Sequence, residues 1–291
     1  MSVPGRPGVK RRWPLVLLAL ILMLIAATAM YATLSARRPA NAVPGRAPVL
    51  SVAVAPGGLI ATTATEAFFT KGDGRWAPVV SLARSRVLVA GQARRQTPGN
   101  GRESPILYVA SEGELRATQD LKTFRRVSQG VKQPTAVTVL GQDEVAVAGA
   151  GGDLATSRDP SKMIMVPPGR EDIVALAGRR SGSTLRLFAG GLSGGLWTTA
   201  EDARGWRELL ETPIRCLALD SGDRRRLLAG TSGGVLESVN EGRTWTFTAM
   251  RVPTEAIAQG AGEWFAVGQD RLLYRSSDGR SKWEAVTNSK A

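Results

Sequence analysis

The chain has 291 residues and a formal charge of +13, with 38 Lys and Arg against 25 Asp and Glu, one cysteine (Cys216) and no histidine. Without histidine the commonest general base, the commonest metal ligand and any Ser–His or Cys–His nucleophile pair are missing, and a single cysteine excludes an intramolecular disulfide. Glycine is abundant at 33 residues and aromatics make up only 5%, which suits many turns and short strands.

Residues 1–12 are a short basic tail, with Arg6, Lys10, Arg11 and Arg12 and no acid. Residues 13–34, WPLVLLALILMLIAATAMYATL, carry no charge over 22 positions; as a helix they span roughly 33 Å against a hydrocarbon core of about 30 Å. Trp13 and Tyr31 fall near the two ends, where amphipathic rings settle, and the Lys10–Arg12 flank predicts a cytoplasmic N-terminus. The expectation is an uncleaved single-pass transmembrane anchor in the cell membrane, with everything after it extracytoplasmic, periplasmic or lumenal. The competing reading is a cleaved signal peptide ending at Ala27-Thr28-Ala29, but the apolar run continues past that site. Residues 35–48, SARRPANAVPGRAP, read as a short extended linker.

Residues 49–291 repeat at a period of about 40, the size of one four-stranded propeller blade. The clearest unit, residues 225–250, places an apolar strand at Leu227–Ala229, a Gly-rich turn, a strand at Val235–Ser238, a tight turn with Asn240 and Gly242, and then Trp245; Ile214–Leu219 supplies the strand before it. The layout recurs with markers at Trp76, Phe124, Met163, Trp206, Trp245 and Trp283, spaced 48, 39, 43, 39 and 38 residues apart, the long first interval reflecting an insertion over 93–102. One blade cannot bury both faces of its sheet, whereas blades packed around an axis can. The expected fold class is therefore all-β, a β-propeller of about six four-stranded blades preceded by one transmembrane helix, with a β-sandwich or solenoid as the alternative. Small apolar triplets, Val52-Ala53-Val54 and Val145-Ala146-Val147, are expected as innermost strands.

Ser238, Asn240, Gly242, Thr244 and Trp245 resemble the Asp-box, or BNR, motif S-x-D-x-G-x-T-W, with Asn240 where Asp is usual; Ser276, Asp278 and Trp283 form a looser copy with the glycine shifted. The motif is structural: its acid caps a turn and its Trp packs between strands. Two Asp-box families bear on function, the sialidases and the exported or lumenal propellers that assist photosystem II assembly; a hydrophobic N-terminus followed by one bare propeller is similar to the second. A sialidase requires a Tyr nucleophile with a Glu partner. Of three tyrosines, Tyr31 falls in the apolar segment, and Tyr108 and Tyr274 fall in middle strands where side chains point between blades. No catalytic, cofactor or metal residues are expected.

The register sorts the loops by face. The between-blade connections carry Arg46, Arg84, Arg86, Lys132, Arg170, Arg215 and Arg251, and the first hairpin of three blades carries Arg94-Arg95, Arg179-Arg180 and Arg224-Arg225-Arg226. Read functionally rather than as solvated turn charge, these are partner-binding basic faces for a protein with an acidic surface, or a contact with anionic lipid headgroups. Nucleic acid is not expected as a partner of an exported domain. The overall expectation is a non-enzymatic, membrane-tethered scaffold or assembly factor for a membrane complex. The alternative is a sialidase-like Asp-box glycoside hydrolase.

Overall fold

The computed structural model describes residues 42–44, 47–55, 57–82, 87–96, 103–111, 114–127, 130–141, 144–164, 166, 172–199, 205–223, 225–260 and 262–286; of 81, 87–96, 103–105 and 111 it describes the backbone alone. The expected basic tail and membrane segment lie outside the described residues, among which no helix is long and apolar enough to cross a membrane.

The described strands form six antiparallel sheets in chain order, the six blades of a propeller. Blade 1 is β1 (Ser51–Ala55), β2 (Gly58–Thr62), β3 (Ala67–Thr70) and β4 (Ala77–Pro78); blade 2 is β5 (Val87–Gln96), β6 (Glu103–Ser111), β7 (Glu114–Thr118) and β8 (Arg125–Val127). Blade 3 has three strands among the described residues, β9 (Pro134–Val139), β10 (Val145–Gly149) and β11 (Leu154–Thr156), and the Ile164 amide bonds to the Leu154 carbonyl beyond them. Blade 4 is β12 (Ile173–Ser181), β13 (Thr184–Gly191), β14 (Gly195–Thr199) and β15 (Trp206–Leu210); blade 5 is β16 (Cys216–Leu219), β17 (Leu227–Thr231), β18 (Gly234–Ser238) and β19 (Thr246–Phe247). Blade 6 is β20 (Thr254–Gly260), β21 (Glu263–Gly268), β22 (Leu273–Ser276) and β23 (Glu284–Ala285).

In each sheet the first strand pairs only with the second and lies innermost. Val145–Val147 is therefore a correction to the sequence reading: it lies in β10, the second strand of blade 3, and the innermost strand is β9. Its residues are small and apolar because a second strand is covered on both faces by neighbouring blades, as the unbroken burial of β10 and β17 shows. Where the second strand ends, the next blade's chain passes close by. A Cβ on Gly190 would lie 2.6 Å from Ile214, and one on Gly230 would lie 3.0 Å from the Thr254 carbonyl oxygen of blade 6 and 2.3 Å from the Cys216 sulfur of its own blade, so these positions admit no side chain without displacement. The insertion over 93–102 lengthens the β5–β6 hairpin, pairing as far as Gln96 with Glu103.

Six apolar clusters hold the ring, one at each seam between blades. Leu187 and Ala189 meet Ala146 and Leu154 across blades 3 and 4; Phe188 and Leu196 meet Leu227 and Leu236 across blades 4 and 5. The ring closes where Val52, Leu59 and Phe68 of blade 1 meet Ala256, Phe265 and Val267 of blade 6.

All four strands of blade 6 come from the C-terminal end, so no N-terminal strand completes the last sheet. A stretch ahead of β1 lies along blade 6 instead. Ala42 bridges to Leu272, the Val43 amide donates to the Arg271 carbonyl at 2.9 Å, and the Val49 amide donates to Glu255 at 2.9 Å. The buried Arg271 guanidinium donates to three carbonyls, those of Val43, Pro44 and Ala47. Val43 and Val49 enter the closing cluster. The C-terminal part of the expected 35–48 linker is thus stitched to the propeller. Arg271→Ala should lower unfolding stability by about 2–4 kcal/mol, the scale of lost charge-assisted hydrogen bonds with buried acceptors left behind. Denaturant unfolding measures this, and amide exchange should rise first over residues 42–50.

Candidate functional site

The innermost strands β1, β9, β12, β16 and β20 line a cavity of about 320 Å3 on the propeller axis. Its wall is apolar in the middle, with Val54, Val139, Val174, Leu219 and Ile257. Arg215 stands at one mouth, and Arg179, Arg180, Asp220 and Gln259 at the other. Because strands alternate in direction, the two mouths lie on different faces. The upper face carries the between-blade connections and the second hairpin of each blade; the lower face carries the first hairpin and the turn before the last strand.

The lower mouth is a set of ties between blades. Arg180 grips Glu144 of blade 3 in bidentate fashion, Nε to Oε2 at 2.6 Å and Nη2 to Oε1 at 2.8 Å. Glu241 of blade 5 takes a hydrogen bond from Arg179 and another from Arg186 at 2.8 Å, both of blade 4. Arg226 binds Glu237 at 2.7 Å and Asp220 at 3.1 Å, donates to the Asp278 carbonyl of blade 6, and lies 5.3 Å from the Trp264 ring centroid. Asp220 also accepts from Gln259 at 3.0 Å and from the Gly222 amide at 2.8 Å. Burial alone would raise the Asp220 and Glu241 carboxyls. Hydrogen bonds outweigh it, with the arginine charges adding at Glu241, and both are held below the usual carboxylate range. Carboxylates so saturated are ionised anchors and poor proton acceptors.

The remaining basic residues singled out in the sequence are dispersed. Arg225 is exposed, and its carbonyl accepts from the Glu241 amide at 2.8 Å. Lys132 is exposed on the upper face, Arg215 is half-buried, and Arg251 stacks 4.6 Å from the centroid of the exposed Phe247 ring. Arg46, Arg86, Arg170 and Arg224 lie outside the described residues.

The Asp-box-like turns close as their residue types require. The Ser238 hydroxyl donates to Asn240 at 3.0 Å and accepts from the Gly242 amide at 2.8 Å, while Asn240 accepts from the Thr244 amide at 2.9 Å. The Trp245 indole donates to the Gly242 carbonyl at 3.0 Å. Glu241 and Gly242 both adopt positive φ, 60° and 82°. In blade 6, Asp278 accepts from the Ser276 hydroxyl at 3.0 Å and the Arg280 amide at 2.8 Å. With its glycine one place nearer the acid, this turn leaves the Trp283 indole N–H buried without an acceptor among the described residues. The same turn, built on threonine, recurs at Thr70–Asp73 and Thr118–Asp120, where the sequence match is degenerate. Those turns also expose Lys71, Arg75 and Lys122, none of them among the basic residues expected from the loops; a basic residue two places after the turn acid, as at Asp73, Asp120 and Asp278, is the signal that finds Arg75, Lys122 and Arg280.

Tyr108 is 1% exposed and packed between blades 2 and 3. Tyr274 donates to Asp270 rather than to a glutamate. Burial first and the Asp270 carboxylate second push its phenol up, and it does not line the axial cavity. Burial pushes the Cys216 thiol up to about 12. No group of three or more His, Cys, Asp or Glu suited to a metal ion occurs among the described residues.

No protein-family model and no curated protein matches the sequence. The chain is similar in structure to a protein in the crystal structure of a nidogen/laminin complex, at 7% identity and a TM-score of 0.57, covering 79% of this chain and 91% of that one. A computationally designed protein, Ika8, aligns at 11% identity and a TM-score of 0.46 over 82% of this chain and 75% of its own. The first likeness shows the propeller fold.

Two outcomes follow. Replacing Trp245 with Phe should cost about 1 kcal/mol more stability than replacing Trp283 with Phe, because only the first removes a made hydrogen bond; thermal unfolding of the two variants decides it. For Glu241, a folded pKa below its ordinary value of 4.5 gives a contribution that is complete above that value and lost as pH falls through the depressed folded pKa. Glu241→Gln should therefore lower Tm at pH 7 and flatten its decline toward pH 3, read by calorimetry across that range.

Proposed function

We propose that this chain is a membrane-tethered, extracytoplasmic propeller that works without catalysis, as a protein-binding scaffold or assembly factor for a membrane complex. The observation that carries this reading is the distance between anchor and propeller. The uncharged segment ends at Leu34 and the propeller is already stitched at Ala42, so seven residues of sequence separate the expected anchor from the first described contact. Fully extended, seven residues reach about 25 Å at most. A leash that short raises the local concentration of a partner lying in or on the same membrane and does little for an enzyme with a diffusing substrate.

The polar chemistry points the same way. The arginines and carboxylates at the lower mouth of the axial cavity are spent on one another, Arg179 and Arg180 across blade seams and Arg226 within blade 5. Tyr274 is spent on Asp270. The Asp-box-like turns fit the structural role that the motif has in the photosystem II assembly-factor-like propellers.

The test is extraction and crosslinking of the full chain in cells. The scaffold reading expects the intact chain in carbonate-washed membranes, its propeller resistant to protease added from the cytoplasmic side, and a defined protein in the crosslinked, detergent-solubilised material. A soluble chain cut after Ala29 would remove the tether from the reading, and hydrolysis of a fluorogenic sialoside that is lost on Tyr274→Phe would replace the scaffold with the hydrolase reading.

A further inference from the structure

We propose that the outer lower rim of blades 1 to 3 is a docking surface for an Asp/Glu-rich segment of a partner protein. This rests on the scaffold reading and narrows it to one surface and one chemistry.

The lower face uses its cations in two ways. Around blades 4 to 6 most are consumed: Arg179 and Arg186 on Glu241, Arg226 and Arg280 on Glu237, Lys282 on Glu284. Around blades 1 to 3 most are not. Lys71 and Arg75 in the last turn of blade 1, Lys122, Arg125 and Arg126 in blade 2, and Arg158 and Lys162 in blade 3 are all exposed and make no ion pair among the described residues. The three blades are consecutive around the axis, so these turns form one arc.

The turn chemistry fixes this separation. Asp73 faces into its own turn, taking the Thr70 hydroxyl at 3.1 Å and the Arg75 amide at 3.0 Å. Asp120 takes the amides of Lys122 and Thr123, each at 2.8 Å, and the Thr118 and Thr123 hydroxyls. Asp159 takes the Ser161 hydroxyl at 2.9 Å. Asp120 uses both its oxygens on the turn, and Asp73 and Asp159 each turn Oδ1 inward, so none of the three forms an ion pair with the exposed cations beside it. Blade 2 adds a further sign: Arg116 of β7 lies directly across from Arg126 of β8, a like-charge pair that costs stability in a sheet. Glu114 binds Arg116 at 2.9 and 2.5 Å; it also feels the Arg126 charge, but among the described residues no carboxylate is in ion-pair contact with Arg126. A bound carboxylate would relieve that repulsion, and guanidinium forks suit carboxylates held in bidentate fashion.

A peptide carboxylate fits better than a lipid surface. The arc follows a curved rim with turn acids set between the cations, so a continuous anionic plane would meet Asp73, Asp120 and Asp159 along with the bases. The first described residue, Ala42, bridges to Leu272 in the β21–β22 hairpin on the opposite, upper face.

The test uses the full chain in phosphatidylcholine nanodiscs and a fluorescent twelve-residue peptide of alternating Glu and Gly, read by anisotropy at two salt concentrations. Arg75→Glu with Arg126→Glu should weaken peptide binding about tenfold or more and reduce its salt dependence, while Lys132→Glu with Arg251→Glu, an equal charge change on the upper face, should alter it less than about twofold. Equal losses in both variants would reduce the effect to net charge and overturn the proposal, as would rim-dependent binding of phosphatidylserine vesicles without binding of the peptide. In cells, a photo-crosslinker at position 126 should trap a protein and one at position 132 should not. Trapping at 132 alone overturns the rim while leaving the scaffold reading standing, and trapping at neither position overturns both.

Discussion

Every blade of this ring has two apolar faces and no water-facing side, and that constraint governs the rest. A four-stranded sheet with a second strand as uniformly buried as Leu227–Thr231 is insoluble by itself and becomes stable only between two others. Five seams form between blades that follow one another in the chain. The sixth must be made between residues some 200 apart, Val52 and Leu59 on one side and Phe265 and Val267 on the other, so it carries the largest loop-closure entropy. The contacts of Arg271 with the stretch before β1 are concentrated at that seam. They replace the strand exchange that would otherwise weld the last blade to the first.

The arginines divide along the same line. Where two blades meet, a buried guanidinium needs its charge answered: Arg271 is answered by backbone carbonyls at the closing seam, and the three seams from blade 3 to blade 6 supply Glu144, Glu241 and the Asp220–Glu237 pair. Where a turn stands free of a seam, its acid bonds to its own backbone and its cation is left to solvent. High net charge and a high arginine count are therefore not one property of this surface. Part of the excess stabilises the ring and part is available to another molecule.

Much of this was legible in the sequence. The six turn markers gave blade number and register because a Trp or Phe packed beside a polar turn is a strong local signal, and the observed strands at 216–219, 227–231 and 234–238 overlap those expected. Strand rank was not legible at Val145–Val147, since small apolar residues suit a strand squeezed between blades as well as one crowded at the axis. Arg179 and Arg180 read as loop charge, but they lie in β12, whose pairing runs on to Ser181. Their partners Glu241 and Glu144 are 62 and 36 residues away, a relation that only the closed ring creates. The Thr-based turns at Thr70 and Thr118 were hidden for a simpler reason: a hydroxyl from Thr does what one from Ser does, but the spacing to the acid differs by one residue between them.

The stitch at Ala42 joins two questions that the sequence poses separately, how the ring closes and how the propeller is held. The same carbonyls that Arg271 binds belong to the stretch through which the chain arrives. The clamp joins the first blade's lead-in to the last blade's second hairpin. A pull across that seam is resisted by hydrogen bonds lying beside an apolar cluster, with Val43 fully buried among its members. A buried arginine clamp at the closing seam makes the ring hard to open there, because the stretch before β1 must be released before blades 1 and 6 can part.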